Sequence, residues 1–368
     1  MINYIIRRTF LIIPTLLGIM ILNFIIIQSA PGGPVEKFIA QMKGIDTDVT
    51  TRITHSGGGE TAKTGTGGND ISISSKYRGS RGVDPDLIKE IEKLYGFDKP
   101  VHIRFFLMMK NYLTFNFGTS YFRDVKVIDL VIQKMPVSIS LGIWTTLLVY
   151  LISIPLGIKK AVKDGSKFDL ASSFAVTIGY AIPGFLFAIF LIILFAGGSF
   201  VKIFPLRGLT SEDFQSLSFI GKILDYFWHL VLPITAMVIG GFASLTMFTK
   251  NSFLAEISKQ YVITARAKGL TENKILYGHV FRNAMLIIIA GFPSAFISIL
   301  FTGSVLIEVI FSLDGLGLLG FESALNRDYA VMFGTLYVFS LLGLFLRLIG
   351  DLTMMFVDPR LDFDSREV

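Results

Sequence analysis

Six runs of about twenty or more mostly apolar residues recur along the chain, and a run of that length is what an α-helix needs to cross the hydrocarbon of a bilayer. They cover Thr9–Ala30, Val137–Gly157, about Leu170–Gly197, about Trp228–Thr249, Ala284–Phe311 and about Val331–Val357. In hydrocarbon every backbone polar group must be paired within the protein, so such runs fold as helices. Composition agrees: of 368 residues, 52% are hydrophobic and 17% charged, against about a quarter charged in soluble domains. The fold class expected is an all-α polytopic membrane protein with six transmembrane helices. The first run has Arg7 and Arg8 before it and Gln28-Ser29-Ala30 at its end. It is too long for the apolar core of a signal peptide, so a retained span is expected.

Charge sets the sidedness. Lys159, Lys160, Lys163 and Lys167 lie between spans two and three, and Lys250, Lys259, Arg266, Lys268, Lys274 and Arg282 between spans four and five. The 312–330 loop holds only Arg327, and the basic residues of 198–227 are balanced by acids. Basic short loops stay on the cytoplasmic side. Both termini are therefore expected inside, with residues 1–30 as the N-terminal transmembrane helix, 137–357 as the core and 358–368 as a cytoplasmic tail. The net charge of +6 reads as this loop asymmetry, and no nucleic-acid partner is expected.

Residues 31–136 form a long external segment. Ile45–Gly82 is rich in Gly, Ser and Thr and buries too little apolar surface to offset the entropy of ordering. Order resumes where Asp84 can cap and Pro85 can open a helix bearing Leu87, Ile91 and Leu94 on one face, with Gly96 ending it. Residues 101–117 suit a helix at the membrane surface, with a seventh crossing as the alternative.

Catalytic constellations are missing. Gly59-Glu60-Thr61-Ala62-Lys63-Thr64-Gly65 only superficially resembles a phosphate loop, because its lysine follows Ala62 and no strand or helix flanks it. His55, His102, His229 and His279 show no metal-ligand spacing, and there are no cysteines. The chain is expected to be no enzyme and to need no metal or cofactor. Ionisable groups within spans are few: Glu308 near the end of span five, and Arg347 with Asp351 at i,i+4 in span six. A transporter driven by protons or sodium keeps acidic groups near the midplane. Their scarcity points to an energy source outside the chain, with a stand-alone secondary transporter or channel as the alternative. Pro155, Pro183-Gly184, Pro233, Gly240-Gly241 and Pro293 are expected to interrupt the helices, as close packing or a cavity allows.

The internal loop Asn251–Asn283 is longer than a connector requires. Leu254, Ile257, Tyr261 and Ala265 repeat at helical spacing, Gly269 ends that helix, and Thr271 can cap the next. A basic, amphipathic helix–turn–helix follows, with small Ala265, Ala267 and Gly269 open to another surface.

Within it, Thr264-Ala265-Arg266-Ala267-Lys268-Gly269-Leu270, followed by His279 and Arg282-Asn283-Ala284, resembles the loop shared by binding-protein-dependent ABC permeases, in its peptide-transporter form. Arg7-Arg8, Pro14, Ala30-Pro31-Gly32-Gly33-Pro34, Tyr95-Gly96-Phe97-Asp98-Lys99-Pro100, Gly315-Leu316-Gly317, Arg327-Asp328-Tyr329 and Asp358-Pro359-Arg360 match the family in order. The Gly/Ser-rich insertion makes the chain most similar to the Yej-type permease subunits of peptide importers, associated with oligopeptides and microcin C. The sequence departs from the family at the glutamate of its loop motif, where Ile263, Thr264 and Ala265 stand, and at Asp314, Ala330 and Arg347. The resemblance implies a type I importer permease in the inner membrane, paired with a second permease subunit, two cytoplasmic ATPase domains, an external solute-binding protein and a peptide substrate. Thr264 to Leu270 would then couple to the ATPase, and Asp314, Gly315, Gly317, Arg327, Asp328 and Tyr329 would form the external mouth.

Overall fold

The computed structural model describes residues 2–29, 98–197, 200–301 and 305–357, with 89 and 93. The insertion at 45–82, the helix expected after Asp84 apart from residues 89 and 93, the motif segments at 30–34, 95–97 and 358–360, and the tail 358–368 lie outside these residues. The described residues are almost wholly helical and contain no β-strand. In chain order the helices are α1 (Ile2–Ser29), α2 (Val101–Tyr112), α3 (Val127–Val162), α4 (Lys167–Ala181), α5 (Gly184–Phe195) and α6 (Phe219–Ile257). Then come α7 (Gln260–Ala267), α8 (Glu272–Ile275), a π-turn (Leu276–Val280), α9 (Phe281–Phe301), α10 (Val305–Ile310), α11 (Leu316–Asn326) and α12 (Tyr329–Val357). Five helices are long and apolar enough to cross a membrane, and six spans result if the bent pair α4–α5 counts as one. The all-α, six-span reading is borne out.

Boundaries and breaks differ from expectation. α3 and α6 overrun their apolar runs, reaching 36 and 39 residues. Ser218 starts α6 by accepting a hydrogen bond from the Gly221 amide at 3.2 Å, and the helix continues into the expected 251–283 loop. Of the expected interruptions, only Pro183 breaks a helix. Ile182 before it is extended at ψ 118°, as a residue preceding proline prefers, and α4 and α5 meet at 92°. Pro155, Pro233 and Pro293 lie inside continuous helices, a placement that dense packing in a bundle tolerates. The Pro293 ring fills the space beside Gly350 where a Cβ would stand. Span five is described up to Phe301 in α9 and from Val305 in α10. The i,i+4 partnership expected of Arg347 and Asp351 gives way to another, since Asp351 lies 2.9 Å from Arg8 of α1.

The chain forms two compact units. The first comprises residues 1–14, 133–318 and 339–368. Here α3 and α6 approach closely: a Cβ on Gly157 would stand 2.6 Å from the Thr249 Cβ and 2.8 Å from the Thr246 carbonyl oxygen. Small residues allow such contact between membrane helices, where dispersion and hydrogen bonds drive association. The Ser153 hydroxyl donates to the Phe242 carbonyl at 3.0 Å. One apolar cluster joins Leu141, Ala188, Leu191, Leu230, Ala236 and Phe311. Another joins Ile158, Ala161, Phe253, Val262, Ala265 and Ile275.

The second unit comprises residues 15–132 and 319–338. Its core is aromatic. Phe24 stacks on Phe333 at 5.7 Å, and Tyr112 meets Phe117 at 4.8 Å and Tyr337 at 5.3 Å. α2 buries Tyr112 and leaves Phe106 71% exposed. With 12 residues it is too short to cross, which argues against the seventh crossing.

Candidate functional site

The segment expected to meet a partner is built from a chain reversal after α6. Ser258 ends α6, Lys259 is extended, and α7 follows at once. Tyr261 donates to the Glu256 carboxylate at 2.8 Å and Lys259 pairs with the same carboxylate. Burial pushes the Tyr261 hydroxyl pKa above its usual value. Val262 and Ala265 are buried in one apolar cluster with Ile158, Ala161, Phe253 and Ile275. One short face thus fixes α7 to the ends of α3 and α6.

The opposite face is open. Ile263 is 50% exposed, and Thr264, Arg266, Ala267, Lys268 and Gly269 are exposed with it. Of the expected coupling residues, Ala265 faces inward and Leu270 is half-buried. Gly269 has φ +79°. Its amide donates to the Arg266 carbonyl at 3.0 Å and the Leu270 amide to the Ala265 carbonyl at 3.3 Å. This pair of bonds closes a helix end on a left-handed residue, a conformation glycine adopts without a steric cost. No atom lies within 4 Å of where a Cβ on Gly269 would stand. The glycine is therefore needed first by the backbone, and space remains for an incoming surface. Across the turn, Arg266 grips Glu272 through two hydrogen bonds of 2.6 and 2.9 Å, which raises the guanidinium pKa. Thr271 precedes α8 without a side-chain capping bond. Beyond it a π-turn exposes Tyr277, Gly278 and His279.

The residues expected at an external mouth lie at the two ends of α11. At the start of α11, the Leu316 amide donates to the Ser138 hydroxyl at 2.8 Å and the Leu318 amide to Glu308 Oε2 at 2.7 Å. Ser138 in turn donates to Glu308 Oε1 at 3.1 Å. Glu308 is fully buried, and its charge lies where the helix dipole favours it. A Cβ on Gly315 would come within 2.5 Å of that carboxylate, so glycine is demanded by the approach. Gly317 is buried, whereas Asp314 is exposed and pairs with Lys134.

At the far end of α11, Arg327 has φ +56° and terminates the helix as Gly269 terminates α7. The Arg327 amide donates to the Ala324 carbonyl and the Asp328 amide to the Ser323 carbonyl. Asp328 then caps α12 by accepting from the Val331 amide at 3.3 Å, and it also accepts from the Ser120 hydroxyl and the Tyr121 amide. Burial pushes its carboxyl pKa up, partly offset by those bonds. Tyr329 is buried against Phe333.

Sequence reasoning missed two features of the first unit. Lys160, expected in a solvated loop, is completely buried. A cavity of about 460 Å³ lies between α3, α6 and α9, lined among others by Thr146, Tyr150, Gly241, Ser244, Gly291 and Ala295. Both depend on which way each helix is rotated, which hydropathy does not encode. No group of three metal-ligating side chains occurs among the described residues.

Comparison with known proteins gives concordant matches. The family described as binding-protein-dependent transport system inner membrane component matches residues 153–363. The sequence is 60% identical over 365 residues, 99% of each chain, to a peptidoglycan transport system permease protein YejB from Agrobacterium fabrum. It is 57% identical over 366 residues, again 99% of each chain, to an inner membrane ABC transporter permease protein YejB from Escherichia coli O157:H7. An oligopeptide transport system permease protein AppB from Bacillus subtilis is 33% identical over 98% of this chain and 99% of its own. A solved chain of the MetNI methionine ABC transporter covers 63% of this chain and 97% of that one, at 17% identity and a TM-score of 0.49.

Proposed function

Because the chain belongs to the inner-membrane permease components of binding-protein-dependent transport systems, we propose that it imports peptides as one of two permease subunits driven by a pair of cytoplasmic ATPase domains. The observation that carries this reading is α7, an exposed helix clamped by one apolar face onto the ends of α3 and α6. A helix so mounted acts as a handle: a push on its open face reaches the bundle without first being absorbed by a flexible loop. Thr264, Arg266, Ala267, Lys268 and Gly269 form the surface offered to the ATPase, and Ala265 and Leu270 anchor it from behind.

In the same reading both termini and the α7 end of the bundle are cytoplasmic, residues 31–136 are external, and a solute-binding protein delivers substrate from outside. The cavity between α3, α6 and α9 then forms part of the wall of the passage. Its lining is mostly apolar, with the hydroxyls of Thr146, Tyr150 and Ser244, and contains no charged residue, which suits peptides of varied side chain. The relatives named for oligopeptides and for peptidoglycan favour substrates with a peptide backbone, including peptide stems released from cell-wall material.

The test is copurification and uptake. Gly269→Asp should abolish peptide uptake and ATPase copurification while the chain still inserts in the membrane. Normal uptake by that variant, or uphill transport by this chain alone in vesicles, sinks the reading.

A further inference from the structure

The first unit holds a buried network of charge that neither the family match nor the passage uses. Lys160, near the end of α3, donates to the Asp169 carbonyl at 3.0 Å, to the Ser172 hydroxyl at 2.9 Å and to the Ser173 hydroxyl at 2.6 Å. Those three bonds use all the protons of its ammonium group. Its Nζ also lies 3.0 Å from Asp169 Oδ1. The other oxygen of that carboxylate accepts from Lys250 of α6 at 2.7 Å and from the Gly165 amide at 3.2 Å. Lys250 reaches Asp164 as well, at 2.7 Å. Two lysines and two aspartates balance in charge. The Lys160 and Asp169 side chains are 0% and 6% exposed, and that of Lys250 is 11% exposed.

Such a cluster is poorly explained by stability. Desolvating paired charges costs about as much as their attraction returns, and well-packed apolar residues often do as well. What ion pairs add is direction, because they hold only one register of the elements they join. Here they join three: the end of α3, the first turn of α4 and the end of α6. The hairpin between α3 and α4 is shaped for it, with Gly165 at φ +72° turning its amide toward Asp169 and the Ser166 hydroxyl capping α4 by accepting from the Asp169 amide. The network also adjoins the mount of α7 in sequence and in space. Lys160 lies between Ile158 and Ala161, and Lys250 one turn before Phe253; these three share one apolar cluster with Val262 and Ala265.

We propose that Asp169 is a positioning residue for transport: through Lys160 and Lys250 it locks the ends of α3, α4 and α6 into one rigid block, so that a displacement of α7 moves all three together. The proposal rests on the reading of α7 as the ATPase contact. Without the clasp, α4 lags, and ATP is hydrolysed without a matching movement of the passage.

The experiment uses the complete transporter, with its second permease, ATPases and binding protein, in vesicles, and counts a radiolabelled tetrapeptide taken up per ATP hydrolysed. Asp169→Asn should lower that ratio by about tenfold, a typical size for coupling between sites, with the complex still assembled. Since the chain has no cysteine of its own, the double variant D164C/K250C can be bridged by a short bifunctional thiol reagent. It should lose the ratio before bridging and recover it afterwards, which a merely structural role would not produce. An unchanged ratio in assembled Asp169→Asn, or no recovery on bridging, overturns the proposal. If Asp169→Asn does not assemble, the bridged variant decides alone. If the unmodified transporter takes up no tetrapeptide, or holds no ATPase, the functional reading fails and not the clasp.

Discussion

Two buried carboxylates of the same unit are held in opposite ways. Asp169 lies between two lysines brought from two other helices. Glu308 accepts from the Ser138 hydroxyl and from the Leu318 amide at the start of a helix. A helix N-terminus offers fixed donors and a favourable dipole, so Glu308 is held through the Leu318 amide of α11 and the Ser138 hydroxyl of α3. The charge of Asp169 is balanced only when α3 and α6 bring their lysines to α4. The first arrangement builds a corner of the fold. The second reports whether distant elements stand in one particular relation, which is what a moving machine has to control.

Predictions follow from that contrast, in order of expected size. Glu308→Ala strands the Leu318 amide and the Ser138 hydroxyl in a buried site. We predict a loss of about 2–3 kcal/mol, read as a lower melting temperature in detergent and reduced yield. A variant that melts like the parent would remove Glu308 from the corner. Gly315→Ala presses a methyl against the same carboxylate. About 1–3 kcal/mol of overpacking is predicted, and additive effects in the pair Glu308→Ala/Gly315→Ala would show that the two do not share one site. Gly269→Ala places an L-residue at φ +79°, for about 1 kcal/mol. Faster amide exchange across 260–270, with the rest of the chain unchanged, is the expected readout; unchanged exchange there would contradict the backbone role.

The smallest effect concerns Asp328 in the second unit, a third buried carboxyl held by a hydroxyl and amides. Its folded pKa is raised by burial. The folded state therefore holds the proton more tightly than the unfolded chain does. The stability this contributes is fully present below the ordinary carboxylate pKa and is lost as pH rises through the raised value. Thermal unfolding in detergent across the mildly acidic range should show it, and Asp328→Asn should flatten that part of the profile. A steeper profile in Asp328→Asn would show the sign to be wrong.

The fold was legible because hydropathy counts residues against a fixed thickness, and the spans and their number depend on that count. Helix breaks were less so. Proline was weighed alike at 155, 183, 233 and 293, yet only Pro183 follows a residue that leaves the helix. What decides the rest is the packing around each ring, as Gly350 does for Pro293. The α7 turn was readable because Gly269 carries a local backbone requirement. Arg327-Asp328-Tyr329 and Gly315-Leu316-Gly317 stood out as motifs for a local reason too. They form a helix stop, a helix start and a close approach. Lys160 was hidden because a lysine bound for water and one bound for Asp169 are the same letter beside the same apolar run.

The elbow at Pro183 has its own outcome for the lipid around it. Arms meeting at 92° do not both follow the membrane normal; if one stands upright, the other runs close to the membrane plane. The upright arm, if it is the 12-residue α5, reaches about 18 Å at 1.5 Å per residue, well short of a hydrocarbon layer about 30 Å thick. At that point the bilayer has to pinch inward or leave part of its depth to other protein.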